Sequence, residues 1–143
     1  MELKIKAYKF GERPGVTRPS REILNYLGEV GVRKLVDDHY NLLRESEVKD
    51  LFPQDMEAFE AAKLRSSDFF IQILGGSQYF NLNRGDPMLI RRHLPFKITK
   101  KARLVWLQCY QQLLPKLNMS EELIFSYWDY LNVFSSWMVN TDE

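Results

Sequence analysis

The segment Gly85-Asp-Pro-Met-Leu-Ile-Arg-Arg-His-Leu-Pro-Phe96 decides how this sequence is interpreted. Asp86 is able to cap a helical turn, and Pro87 suits the first position of that turn because the N–H that proline lacks would have no helical partner there. Pro95 disfavours helix at the residue before it. We therefore expect a helix of at most about two turns, ending near His93 and holding one imidazole on a short, abruptly terminated element.

Apolar residues at intervals of three and four predict helices in most of the chain after Pro19. Glycine, proline and capping residues mark where these helices begin and end. The first expected elements are a short helix from Ser20 to about Leu27 and a longer one that starts after Gly28 or Gly31 and reaches about Arg44. A turn from Val48 to Phe52, ended by Pro53, is followed by a helix that is capped by Asp55 and reaches Leu74 before Gly75-Gly76. The last two expected helices are one capped by Thr99 and disrupted at Pro115, and one that begins at Ser120.

Two of these helices have inward faces that carry polar or small residues. Periodicity turns His39 and Tyr40 toward the core in the helix that ends near Arg44. In the helix after Asp55, Ala62 and Ser66 interrupt a face that is otherwise bulky. Such a concave patch would suit the approach of a flat group, although small core residues also allow two helices to pack closely.

Composition indicates one compact domain with a sizeable core, since 143 residues contain 45% hydrophobic side chains. The net charge of +1 gives no sign of binding to nucleic acid or to an anionic membrane. One cysteine excludes an intrachain disulfide framework and suits the cytoplasm. The first ten residues alternate charged and apolar side chains, unlike a signal peptide, and no segment has the length of a membrane span. We expect residues 1–19 to form an extended arm and residues 20–143 a single domain.

Sequence motifs for common enzyme classes are absent. The chain has no glycine-rich phosphate loop, no paired cysteines and no histidine pair at metal-binding spacing, so hydrolase and nucleotide-binding functions have little support. A lone histidine such as His93 in a basic turn is most often a solvent-facing or capping residue. Phe52 and Trp106, considered singly, are most simply core aromatics.

Five short motifs, taken together, change that interpretation. They lie in order between about residues 24 and 109: Phe52-Pro53, Leu74-Gly75-Gly76, Gly85-x-Pro87, Arg92-His93-x-Pro95-Phe96 and Trp106-Leu107-x-Cys109. In this order and spacing the chain resembles the group II truncated haemoglobins. The resemblance implies an all-α, shortened globin fold, a 2-over-2 helical sandwich with haem b between its fourth and sixth helices.

The resemblance also implies a role for each matching residue. His93 would be the proximal iron ligand, its second ring nitrogen bonded to a backbone carbonyl one turn earlier. Tyr40 and Trp106 would donate hydrogen bonds to a distal ligand. The implied haem contacts are Phe52, Phe69 and Trp106 for the ring, with Arg92, Arg65 and Tyr79 for the propionates.

Three distal positions have features of their own. His39 replaces the phenylalanine usual before the distal tyrosine; it either bonds to a neighbouring side chain or propionate, or tunes the distal pocket and binds iron when no ligand is present. Ala62 occupies the usual gate position, where a small side chain predicts a short path for ligand entry. Ser66 either joins Tyr40 and Trp106 in a hydrogen-bond network or bonds back to its own helix.

Three functions remain open at this point. The first is reversible binding of dioxygen and other diatomic ligands. The second is a haem redox enzyme, peroxidase-like or active in nitric oxide detoxification, which would need an external reductase because the chain has no flavin or nicotinamide domain. The third is a haem-free helical interaction module. We expect a monomer or weak homodimer.

Overall fold

The computed structural model describes residues 1–142, and all regular structure in them is helical, as predicted. Six α-helices occur in this range, with 3₁₀ turns at Lys49–Leu51 and Leu114–Lys116. The α-helices are α1 Glu22–Arg44, α2 Met56–Ile73, α3 Tyr79–Arg84, α4 Leu89–His93, α5 Lys100–Leu113 and α6 Glu121–Met138. None of these helices combines the length and the apolar character needed to cross a membrane.

The chain forms two compact units, which are described separately. The α1–α3 unit is Ser20–Pro87. The α4–α6 unit consists of Met1–Pro19 together with residues 88–142.

Helix α1 contains a break at the first of the two glycines expected to separate its segments. Gly28 has φ 68° and ψ 170°, a conformation outside the helical region that side chains disfavour. The segment after it turns a buried face toward the core of the unit, and the residues of that face are Val32, Leu35, Val36, His39 and Leu43. His39 is thus inward, as periodicity predicts.

Helix α2 begins and ends where local sequence signals place it. The Asp55 carboxylate accepts from the backbone N–H of Ala58 at 2.9 Å. After the helix, Gly75 adopts φ 94°, and the N–H of Gly76 donates to the Ile71 carbonyl at 2.9 Å. A Cβ at Gly76 would lie 2.8 Å from the Ile71 side chain, so this close approach also requires glycine.

Helix α3 lies in a stretch whose polar sequence predicts irregular structure. Its support comes from α2, where the Gln72 side chain both donates to the Asn81 side chain at 2.9 Å and accepts from the Asn81 backbone N–H at 3.1 Å. Phe80 is buried with its ring centroid 6.0 Å from that of Phe69. These tertiary contacts stabilise a six-residue helix that lacks strong local signals.

Helix α4 starts two residues later than the sequence predicts. Its N-cap is Met88, which has φ 38° and ψ 54°, so the expected helix start with Asp86 as the N-cap and Pro87 as the first helical residue is wrong. The left-handed residue redirects the chain after Pro87, and the helix can begin only beyond it. It ends at His93, as predicted, but Leu94 keeps helical dihedral angles of φ −54° and ψ −35°, so the expected effect of Pro95 on the residue before it is wrong. The helix stops because Pro95 has no N–H with which to continue the helical hydrogen bonds.

Helices α5 and α6 have the predicted caps, because Thr99 accepts from Ala102 N–H at 3.0 Å and Ser120 from Leu123 N–H at 3.3 Å. The arm before Pro19 has no regular secondary structure and runs along these helices. Its backbone is fastened by side chains, including the Trp128 indole, which donates to the Lys4 carbonyl at 3.0 Å.

Candidate functional site

His93 is the last residue of α4, and its ring is oriented by the backbone of the same helix. The side chain is half-buried, and its Nδ1 lies 2.7 Å from the carbonyl oxygen of Leu89. A carbonyl only accepts, so Nδ1 carries the proton and donates. When the imidazole is neutral, its lone pair therefore lies on Nε2, the nitrogen able to coordinate a metal.

Large apolar side chains around His93 are exposed to an unusual degree. Met88 is 52% exposed, Leu94 61% and Phe96 47%, all within five residues of the imidazole. Ile90 and Leu104 in the same unit are also exposed. Exposed apolar side chains so close in sequence to an imidazole that could coordinate a metal are typical of a site covered by an apolar group.

Trp106 lies on α5 within a set of aromatic rings. Its centroid is 4.9 Å from that of Tyr110, edge to face, and 6.1 Å from that of Phe134. The indole is half-buried. Cys109, three residues further along the helix, is buried, and burial raises the pKa of its thiol, so nucleophilic cysteine chemistry is disfavoured.

Tyr40 lies on α1 between two aromatic rings of the α1–α3 unit. The ring centroid of Phe52 is 5.5 Å away and that of Phe59 is 5.9 Å away. Burial raises the pKa of the Tyr40 hydroxyl above its usual value, while a hydrogen bond with the Ser66 side chain and the positive charge of Arg65 act in the opposite direction. Because the pKa is raised overall, the hydroxyl stays protonated at neutral pH and remains a donor.

His39 is 1% exposed, and its ring meets that of Tyr40 edge to face with centroids 6.5 Å apart. On α2, Ala62 is also buried and Arg65 is exposed. The structure therefore brings Ser66 and His39 into contact with Tyr40, and it places Ala62 in the core of the same unit.

Residues expected at the propionates have differing surroundings. The Tyr79 hydroxyl donates to the Glu29 carboxylate, with oxygen separations of 3.0 and 3.2 Å, and the Arg33 guanidinium lies 5.6 Å from the centre of its ring. A propionate would have to compete with that carboxylate for Tyr79. Arg92 is half-buried beside His93.

Phe69, which was expected at the haem ring, packs against Phe70 with ring centroids 5.4 Å apart.

Comparison with known proteins places these features in a family. The model of the bacterial-like globins matches residues 25–140. The group 2 truncated haemoglobin YjbI of Bacillus subtilis is 31% identical over 118 residues, which are 82% of this chain and 87% of that protein. The crystal structure of phosphate-bound Hell's gate globin IV is 33% identical, with a TM-score of 0.88 over 96% of this chain and 86% of that one. The group II truncated haemoglobin of Bacillus anthracis is 29% identical, with a TM-score of 0.77 over 84% of this chain and 92% of that one.

The chain belongs to the bacterial-like globin family. The resemblance to group II truncated haemoglobins is confirmed, and so is the shortened all-α globin fold. Membership makes this globin a haem protein that binds ligands.

The residues of this globin fit a haem. Residues 1–142 contain no group of three or more histidine, cysteine or acidic side chains able to hold a metal ion by themselves. A single imidazole with its lone pair on Nε2 suits a metal already chelated by a macrocycle. The exposed apolar side chains near His93 would contact such a ring, and the Tyr40 hydroxyl is a suitable donor for a polar ligand.

One residue that sequence reasoning missed is Asn140, which follows α6 and bonds to the backbone around His93. A single asparagine near a chain end carries no motif, and its partners are more than forty positions away in sequence. Phe59 was expected only as a core residue, but its ring lies against Tyr40.

Proposed function

We propose that this globin binds haem b and reversibly binds dioxygen and related diatomic ligands, with His93 as the proximal ligand. The observation that carries the proposal is the 2.7 Å bond between His93 Nδ1 and the Leu89 carbonyl. It selects the tautomer that a proximal histidine needs and restricts rotation of the ring. It also makes the imidazole a stronger base toward a metal at Nε2.

When bound, haem would supply an iron that the His93 imidazole could hold and that could bind a diatomic ligand. The chain would hold the ring with Phe52, Phe69 and Trp106. Arg92 and Arg65 would pair with its propionates, because a guanidinium bonds well to a carboxylate. Tyr79 is a further propionate candidate that must exchange its bond to Glu29.

Tyr40 and Trp106 are the proposed distal donors. A phenol O–H and an indole N–H can both stabilise a diatomic ligand that carries partial negative charge. Two donors predict slow ligand release. One similar solved structure is that of a truncated oxygen-avid haemoglobin from Bacillus subtilis, 29% identical over 82% of this chain. Strong retention of dioxygen is therefore the behaviour we expect.

His39, Ser66 and Ala62 would adjust this distal side. The contact between Ser66 and the Tyr40 hydroxyl favours the network role for Ser66 over a bond to its own helix. His39 would set the position of the Tyr40 ring that it touches, or would bind the iron when no diatomic ligand is present. Ala62 leaves room for ligand entry.

The test is the absorption spectrum of the haem-loaded protein in its ferric, ferrous and carbon monoxide-bound states. His93→Ala should remove the features of an imidazole-bound iron, whereas the matched control His39→Phe should keep them. A proximal signature that survives His93→Ala would overturn the assignment. A low-spin ferric form that disappears only in His39→Phe would identify His39 as a distal ligand.

The alternative is a haem redox enzyme, for which the Tyr40 hydroxyl is also suitable because a donor can polarise an O–O bond. Steady-state consumption of peroxide, or of nitric oxide with an added reductase, distinguishes the two functions. Turnover that is lost in Tyr40→Phe would favour the enzyme, and its absence in the wild-type protein would favour ligand binding.

A further inference from the structure

Asn140 pairs with Ile98, in the connection between α4 and α5, through both its backbone and its side chain. Its backbone N–H donates to the Ile98 carbonyl at 3.0 Å, and its Oδ1 accepts from the Ile98 N–H, also at 3.0 Å. The N–H of Thr141 donates to the same carbonyl at 3.1 Å. The segment after α6 is therefore fixed to the connection that follows His93.

The side-chain amide of Asn140 also reaches the end of α4 itself. Nδ2 donates to the carbonyl oxygen of His93 at 3.2 Å and to that of Phe96 at 2.9 Å. Carbonyls at the end of a helix have no partner within the helix and need donors from elsewhere. Pro95 supplies none, because proline has no N–H. The Phe96 N–H donates to the His93 carbonyl at 3.0 Å, and the Asn140 amide, 47 positions away in sequence from His93, is a second donor to this carbonyl at the end of the helix that carries the imidazole.

We propose that Asn140 is a positioning residue for the proximal histidine. This inference rests on the proposed function, in which His93 binds iron. Leu89 fixes the ring of His93, and Asn140 fixes its backbone, so both ends of the side chain are restrained. Helix α4 has five residues, too few for its own hydrogen bonds to do this.

Loss of the Asn140 hydrogen bonds would affect the bond that His93 Nε2 makes to iron. A backbone that shifts at His93 moves the imidazole off the direction that Leu89 selects, and a tilted imidazole binds iron less strongly. A structural change at the end of α6 would therefore alter the iron–imidazole bond through Asn140 and the backbone of His93. No residue that contacts the haem would have to change.

Two variants separate positioning from general stabilisation. Asn140→Asp keeps an oxygen acceptor for the Ile98 N–H but loses both amide donors and turns a carboxylate toward two carbonyl oxygens. Asn140→Ala loses all side-chain bonds. Asp142→Asn is the control, since Asp142 lies on the same segment and, among residues 1–142, its carboxylate pairs with Lys100 alone, at 3.9 Å.

The first readout is amide hydrogen exchange in the protein without haem. Asn140→Asp should accelerate exchange at Phe96, whose N–H bonds to the His93 carbonyl, by about tenfold while Ile98 stays protected. Asn140→Ala should accelerate both, and Asp142→Asn neither. Unchanged exchange at Phe96 in both Asn140 variants would show that the amide does not hold this backbone.

The second readout is the iron–imidazole stretching frequency in the ferrous haem protein, measured by resonance Raman spectroscopy. We expect it to fall in Asn140→Asp and in Asn140→Ala and to stay constant in Asp142→Asn. A constant frequency in both Asn140 variants overturns the positioning role, even if their stability is reduced. Absence of an iron–imidazole band in the wild-type protein would instead contradict the proposed function, and the exchange experiment would still test the Asn140 contact.

Discussion

Tyr40 and His93 are held in position by different means. Tyr40 stands on a 23-residue helix, and the rings of Phe52 and Phe59 lie against its own. His93 ends a five-residue helix with exposed apolar neighbours. It is restrained by a hydrogen bond that its ring donates to the Leu89 carbonyl and by one that its own carbonyl accepts from the Asn140 amide. Packing positions the proposed distal donor, whereas hydrogen bonds to the backbone position the proposed proximal ligand.

This difference determines what a substitution should do. Close packing both stabilises the fold and positions Tyr40, so a substitution that disturbs the packing near Tyr40 should lower the free energy of unfolding. The hydrogen bonds around His93 involve little buried apolar surface, so their loss should alter the imidazole more than the free energy of unfolding.

The largest effect should come from Phe59→Ala, next to Tyr40. Phe59 is 1% exposed, and a buried phenylalanine replaced by alanine leaves a cavity that costs about 3–5 kcal/mol. Urea unfolding measures this loss. Phe10→Ala, at a residue that is 45% exposed, is the matched control and should change stability by less than about 0.5 kcal/mol. Equal effects of the two changes would contradict the role of packing.

Tyr40→Phe should preserve the ring contacts and remove the hydroxyl. We expect dioxygen to dissociate about tenfold to a hundredfold faster, since a hydrogen bond to a charged group contributes about 1.5–3 kcal/mol. Stopped-flow displacement of dioxygen by carbon monoxide measures the rate. Tyr26→Phe, at an exposed tyrosine on the same helix, should leave it unchanged. Equal rates in Tyr40→Phe and the wild-type protein would exclude Tyr40 as the distal donor.

Met88→Gly should stabilise the protein slightly. Met88 has φ 38°, a left-handed conformation that costs a side-chain-bearing residue about 1–2 kcal/mol, partly offset by the greater entropy of unfolded glycine. The expected net gain is about 0.5–1 kcal/mol in urea unfolding. Met88→Ala keeps the Cβ and should bring no such gain, so a glycine variant no more stable than the alanine variant would argue against strain before α4.

The smallest effect should come from Ser66→Ala, which should change the pKa of the Tyr40 hydroxyl. The Ser66 hydrogen bond lowers the pKa of the Tyr40 hydroxyl against the stronger effect of burial, so its removal should raise that pKa further. Because the folded pKa is already above the unfolded value, Tyr40 reduces stability only as the pH rises above about 10. Tyrosine-ring NMR of the haem-free protein across alkaline pH measures the shift. A lower pKa in Ser66→Ala would contradict this hydrogen bond.

Local sequence predicted those parts of the fold that short-range chemistry determines. The caps at Asp55, Thr99 and Ser120 follow from side chains that reach a backbone N–H three residues later. Gly75-Gly76 ends α2 through the positive φ of Gly75, and Pro95 ends α4 because proline has no N–H for a further helical hydrogen bond. The inward direction of Tyr40 and His39 follows from periodicity alone.

The parts that sequence could not predict depend on distant contacts. Helix α3 is supported by the bonds of Gln72 to Asn81 and by burial of Phe80. The left-handed Met88 has no local signal, because such a conformation is rare for methionine. Asn140 could be recognised only once the fold brought it to the end of α4.

The most direct test of the central claim is chemical rescue of His93→Gly. This change removes the proposed ligand and leaves a space for a free imidazole. We predict that the ferrous variant lacks the iron–imidazole stretching band and regains one when imidazole is added, at a frequency sensitive to isotopic labelling of the added molecule. A variant that keeps the band without added imidazole would contradict His93 as the proximal ligand.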